Sequence, residues 1–170
     1  MEEKKKGLYE TQEEMEKYIL AAVEEDGGEI DAEQSLDELS DLLWTAGGEE
    51  AGRVIQKRES PHPKTYLGSG KIQEVKAMLE MCGASGVITD DELSPAQLRN
   101  LSEALGTKVI DRTLLILDIF SQRASTKEGQ TQVELAQLNY RLTRLAGLGT
   151  ELSRQGGSVG GGNHSRGAGE

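Results

Sequence analysis

The stretch Gly86-Val87-Ile88-Thr89-Asp90-Asp91-Glu92-Leu93-Ser94-Pro95-Ala96-Gln97-Leu98, continued to Lys108-Val109-Ile110, decides the fold. It opens on a short apolar run, Gly86–Asp90, that does not alternate with polar residues. Such a run reads as a strand buried on both faces. Ser94-Pro95-Ala96-Gln97 then starts a helix: Ser94 is an N-cap, Pro95 fits the first helical position, and Gln97 falls at the third. Leu98, Leu101 and Leu105 lie on its inward face, Gly106 stops it, and Lys108–Ile110 is a second short strand. Two apolar strands joined by a helix imply a parallel pair, because parallel neighbours need a crossover.

The same unit recurs upstream. Tyr18–Val23 is an apolar run ended by Glu24-Glu25-Asp26-Gly27-Gly28, a strand followed by a loop. Ser35-Leu36-Asp37-Glu38 has the form of a capping box, with Leu36, Leu39, Leu42 and Leu43 on one helical face and Gly47-Gly48 at the end. Arg53–Arg58 reads as a strand, and Pro61 and Pro63 disfavour helix after it. Ile72, Val75, Met78, Leu79 and Cys82 form the next stripe, closed by Gly83. The predicted order is β-α-β-α-β-α-β: an α/β fold with a small four-stranded parallel sheet and flanking helices.

From Asp111 the pattern changes. Leu114, Leu115, Leu117, Ile119 and Phe120 open a helix, and a break is expected near Ser125–Gly129, where Ser125-Thr126-Lys127-Glu128 can cap a new one. Leu135, Leu138, Leu142 and Leu145 then recur as the seam of a helical hairpin or coiled coil, which requires a partner helix. The expected organisation is an acidic, frayed leader over 1–16, an α/β subdomain over 17–112, an incomplete helical subdomain over 113–148, and a glycine-rich end over 149–170.

Composition agrees with a chain that is only partly core. Of its residues 35% are hydrophobic and 4% aromatic, lean for a core spanning the whole length. Nine of the 21 glycines lie between Gly147 and Gly169. The single cysteine, Cys82, forbids an internal disulfide or a thiolate metal cluster and is expected to be a core thiol. No apolar run is long enough to span a membrane, and the start lacks a secretory signal, so a cytoplasmic protein is expected. The net charge of -11 is uneven: residues 1–50 carry 17 acids against 4 bases, whereas 51–110 and 111–170 are each +1. A broad basic face for nucleic acid is therefore unexpected, but a local arginine cluster can still serve.

Several residues invite functional readings. Gly68-Ser69-Gly70-Lys71 resembles a phosphate loop, but Thr65 and Ile72 stand where that motif needs glycine and Ser or Thr. A tight turn opening the next helix is favoured over a weak anion site. Asp90, Asp91 and Asp111 should sit near the carboxyl ends of neighbouring strands, where such sheets bind ligands and where carboxylates could hold Mg²⁺. Helix capping is the favoured reading. His62 and His164, both in loops, support neither a metal site nor a catalytic triad. Arg141, Arg144, Arg154 and Arg166 flank glycines whose bare backbone can approach phosphates, and arginine pairs with phosphate and stacks on bases. Composition alone favours a linker for that segment.

Read in order, Thr45-Ala46-Gly47, Pro61–Lys71, Asp90–Leu101, Val109–Thr113 with Leu115–Phe120, Gln132–Leu138, and the glycine run ending Arg166-Gly167-Ala168-Gly169-Glu170 resemble the N-terminal region of the HflX family of ribosome-associated GTPases. The resemblance implies a parallel α/β subdomain, two long antiparallel helices whose tips are joined by a glycine-rich segment, and a GTPase domain using GTP and Mg²⁺. It implies binding to the large ribosomal subunit, with the tip touching ribosomal RNA. Arg154, Gly156, Gly157, Arg166, Gly167 and Gly169 match the tip pattern; Ala168 stands where proline is expected. The 170 residues hold no phosphate loop, switch or guanine-recognition motif, so the chain alone is not expected to hydrolyse GTP, and it has no catalytic or metal residue to offer. Its expected partners are the large subunit, ribosomal RNA, a return helix and the GTPase domain. Two other readings remain: a nucleotide-binding α/β module acting at the strand carboxyl ends, and a truncated product without function, whose exposed leucine seam would fray or dimerise.

Overall fold

A computed structural model describes residues 14–156, the side chains of 145–156 aside. Nine elements follow in order: β1 (Lys17–Glu25), α1 (Ala32–Thr45), β2 (Glu49–Arg58), α2 (Ser69–Cys82), β3 (Gly86–Thr89), α3 (Pro95–Leu105), β4 (Lys108–Asp111), α4 (Arg112–Arg123) and α5 (Lys127–Gly156). The four strands form one parallel sheet in the order β2-β1-β3-β4, the α/β architecture expected from the apolar runs.

β1 is central, and its alternation splits the core in two. Ile19 and Ala21 face one layer with Val75, Leu101 and Leu105 from α2 and α3. Tyr18, Leu20 and Ala22 face the other with Leu36, Leu39 and Leu43 of α1 and Leu115 and Ile119 of α4. Ile19 and Leu20 are wholly buried, each worth about 1.5–3 kcal/mol of hydrophobic stabilisation. Gly86 is needed where β3 passes β4: a Cβ there would come within 2.5 Å of the Lys108 carbonyl oxygen.

Most helix ends form where the sequence places them. Ser94 accepts from the Gln97 N–H while Gln97 reaches back, a complete capping box with Pro95 in the first turn. Gly83 and Gly106 close α2 and α3 in left-handed conformation. The start of α1 is different. Asp31, not Ser35, is its N-cap, accepting from the Glu33 N–H. An aspartate four residues upstream captures the free N–H groups first, and Ser35 lies inside the helix, buried. Cys82 is half-buried at the end of α2 rather than fully in the core.

α4 ends at Ala124, and Thr126 accepts from the Gly129 N–H as α5 begins, the expected break. α5 runs for 30 residues, about 45 Å at 1.5 Å per residue. It continues past 148, so the backbone of Arg154 and Gly156 is helical. Leu135, Leu138 and Leu142 on it are more than half exposed. No described helix is long and apolar enough to cross a membrane.

Candidate functional site at the strand ends and the root of the long helix

The sheet reverses its winding between β1 and β3: α1 leaves β1 toward β2, while the chain returning through α2 lands on the other side. The carboxyl ends of β1 and β3 flank this switch, the usual ligand crevice of such sheets. Asp90 and Asp91 follow β3, and Asp111 ends β4, as predicted. The structure brings the three to one edge and gives each its own partners.

Asp90 accepts from the Ser35 hydroxyl at 2.6 Å and pairs with Arg112 at 3.1 Å. Arg112 also reaches Glu38 at 3.3 Å, tying α1, β3 and α4 together. Asp91 accepts from the Tyr66 hydroxyl at 2.6 Å, and that hydroxyl oxygen in turn accepts from the Val23 N–H at 3.1 Å. Burial first, then the Asp91 carboxylate, pushes the Tyr66 phenol far up, so it stays a proton donor. Tyr66 has a φ of 65°, uncommon outside glycine. Its backbone exchanges two hydrogen bonds with His62, which hold it there. Only Asp111 takes the capping role expected of all three: Asp90 and Asp91 bind side chains of distant elements instead, because the crevice offers them an arginine, a serine and a tyrosine.

Asp111 is 2% exposed and holds four elements. Its carboxylate caps α4 by accepting from the Leu114 N–H and accepts from the Leu93 N–H before α3. From α5, Tyr140 donates its hydroxyl to the same carboxylate, and Arg144 approaches it at 3.4 Å. Arg144 also donates to the Leu93 carbonyl and to Glu92, each at 2.9 Å, and its guanidinium stacks 3.5 Å from the Tyr140 ring centre. Burial and the Asp111 hydrogen bond raise the Tyr140 phenol well above its usual range. Arg144 thus serves to root the helix rather than to flank the tip. About 18 Å of α5 continue from Arg144 to Gly156.

The Gly68 amide donates to Gln56 at 2.8 Å and Lys71 pairs with Glu74 at 2.9 Å, and Gly68 opens α2 as its N-cap, the helix-opening turn favoured from the sequence. Among the described residues no three His, Cys, Asp or Glu side chains are grouped to hold a metal. Of the tip positions, Arg154 and Gly156 lie at the end of α5, where side chains are not described; Gly157, Arg166, Gly167 and Gly169 lie outside the described residues, as does His164.

Sequence reasoning missed Ser35, Tyr66, Arg112 and Tyr140. Only Tyr140 carried a local signal: it stands four residues before Arg144, a spacing that stacks side chains on one helical face.

Comparison with known proteins places this geometry. Residues 33–121 match the family model of the GTP-binding GTPase N-terminal region, and 123–170 that of the GTP-binding GTPase middle region. The GTPase HflX of Lacrimispora saccharolytica is 56% identical over 163 residues, covering 96% of this chain and 37% of that protein. The GTPase HflX of Escherichia coli is 48% identical over 127 residues, covering 75% of this chain and 30% of that one. A GTP-binding protein from the hyperthermophilic archaeon Sulfolobus solfataricus, solved in complex with GDP, superposes with a TM-score of 0.58 at 28% identity, covering 78% of this chain and 40% of that one. The chain thus spans about a third of the length of the curated relatives it matches.

Proposed function

The chain belongs to the HflX family of GTPases, and from that premise we propose that it is the part of such a GTPase that docks on the large ribosomal subunit in the cytoplasm. The observation that carries the reading is the rooted helix. Asp111 binds Tyr140 and Arg144 to the body of the fold, and α5 then projects about 18 Å with Arg154 near its end. A stiff arm fixed at one end delivers a glycine- and arginine-rich segment to a fixed place. Glycines at 156, 157, 167 and 169 admit close backbone approach, while Arg154 and Arg166 pair with phosphate or stack on bases. Ribosomal RNA is the partner this chemistry suits.

The exposed Leu135, Leu138 and Leu142 are read as the seam for a return helix, giving an antiparallel hairpin with the tip between its arms. GTP and Mg²⁺ belong, in this reading, to a GTPase domain of the parent protein and not to the strand-end carboxylates. Subunit splitting, rescue or biogenesis are the processes such docking would serve. Pelleting the chain through a sucrose cushion with purified large subunits, and separately with small subunits, tests the reading. It expects recovery with the large subunit only; equal recovery with both, or with neither, would refute it.

A further inference from the structure

Between β4 and the root of α5 lies a cavity of about 450 Å³ that none of the anchoring contacts fills. Its size is that of a small-molecule site, typically about 300–1,000 Å³. Leu98 and Leu114 wall it with Val109 and Ile110 of β4, the edge strand of the described sheet. Arg99, Lys108, Arg141 and Arg144 also line it, against one acid, Asp111, whose carboxylate is already engaged. Among the described residues Lys108 and Arg144 form ion pairs, whereas Arg99 and Arg141 form none. Arg144 donates all its hydrogen bonds from one terminal nitrogen; its Nε is buried with no partner among the described residues.

We propose that this cavity binds a small amphipathic anion, a hydrophobic carboxylate in chemical class. Its apolar body lies against Leu98, Val109, Ile110 and Leu114, and its charged group against Arg99 and Arg141. The walls are mostly apolar, and Arg99 and Arg141, without an ion pair among the described residues, give an anionic group partners that a neutral occupant would not use. The inference stands apart from ribosome docking, and its test contains no ribosomes.

The probe is 1-anilinonaphthalene-8-sulfonate, titrated by fluorescence into the 170-residue chain beside N-phenyl-1-naphthylamine, which has the same rings without the sulfonate. The expected result is saturable one-to-one binding, about tenfold tighter for the sulfonate. Arg99→Ala with Arg141→Ala should erase that preference, and Leu98→Trp should fill the cavity and weaken both dyes. Equal affinity for the two dyes, or a sulfonate affinity untouched by the arginine pair, overturns the proposal. So does a signal that follows dimer formation in light scattering, which would give the cavity to a second copy. If Leu98→Trp does not fold, the arginine pair alone decides.

Discussion

The α/β body and the long helix meet opposite demands. In the body, each strand-end carboxylate has close partners, and two apolar layers cover both faces of the sheet. On α5, Leu135, Leu138 and Leu142 are 57%, 55% and 58% exposed, and side-chain hydrogen bonds tie the helix to the body at the Asp111 knot. The body is built to be rigid, and the helix to be held at its root with a face open for pairing. One residue, Asp111, belongs to both.

That division gives Asp111→Ala the largest expected effect. It removes the α4 cap, strands the Leu93 N–H and leaves Arg144 only the exposed Glu92 as a carboxylate partner, for a loss of about 3–5 kcal/mol in chemical denaturation of the whole chain. A loss below about 1 kcal/mol would mean the knot is a surface contact and the two regions are independent.

The pH dependence comes next, and its alkaline limb draws on both regions. Tyr18, Tyr66 and Tyr140 all have raised pKa values, burial being the leading cause in each. A raised folded pKa means that the stabilisation is complete below the unfolded phenol value, about 10, and is lost as pH climbs above it. Glu50 is shifted the other way, held down by its hydrogen bond with Arg53, so its contribution is present above the unfolded carboxyl value and fades as pH falls through the lower folded one. Denaturant midpoints should be flat near neutrality and fall on both sides. Tyr140→Phe should blunt the alkaline limb in hydrogen exchange of α5 and leave that of the sheet; an unchanged alkaline limb for α5 would break the assignment.

At neutral pH, Tyr140→Phe should cost only about 1 kcal/mol, read as faster amide exchange over 127–144 with β1 and β3 unaffected. Uniform acceleration would show that helix and body open together. The smallest effect is expected of Leu135→Glu with Leu142→Glu. Both sites are exposed, so body stability should stay within about 0.5 kcal/mol. A larger drop would mean that these leucines already pack within the chain.

Much of the body was legible because its signals are local. The capping box at Ser94 and the glycines after α2 and α3 each act within a few residues. Ser35 shows the limit of the same logic, since a better cap at Asp31 frees its hydroxyl for a partner 55 positions away. The hub at Asp111 was hidden for that reason: Tyr140 and Arg144 lie 29 and 33 positions away, and only folding brings them to it. Arg144 reads in sequence as one more arginine before a glycine run, and its burial against Tyr140 is a tertiary fact.

The central claim is that the rooted helix carries arginines to ribosomal RNA, and the salt dependence of binding to purified large subunits tests it most directly. Each phosphate contact contributes about 0.7–0.9 to the slope of log K against log salt. Arg154→Ala with Arg166→Ala should weaken binding and flatten that slope by about 1.4 to 1.8. The same affinity and slope in the double variant would contradict the claim.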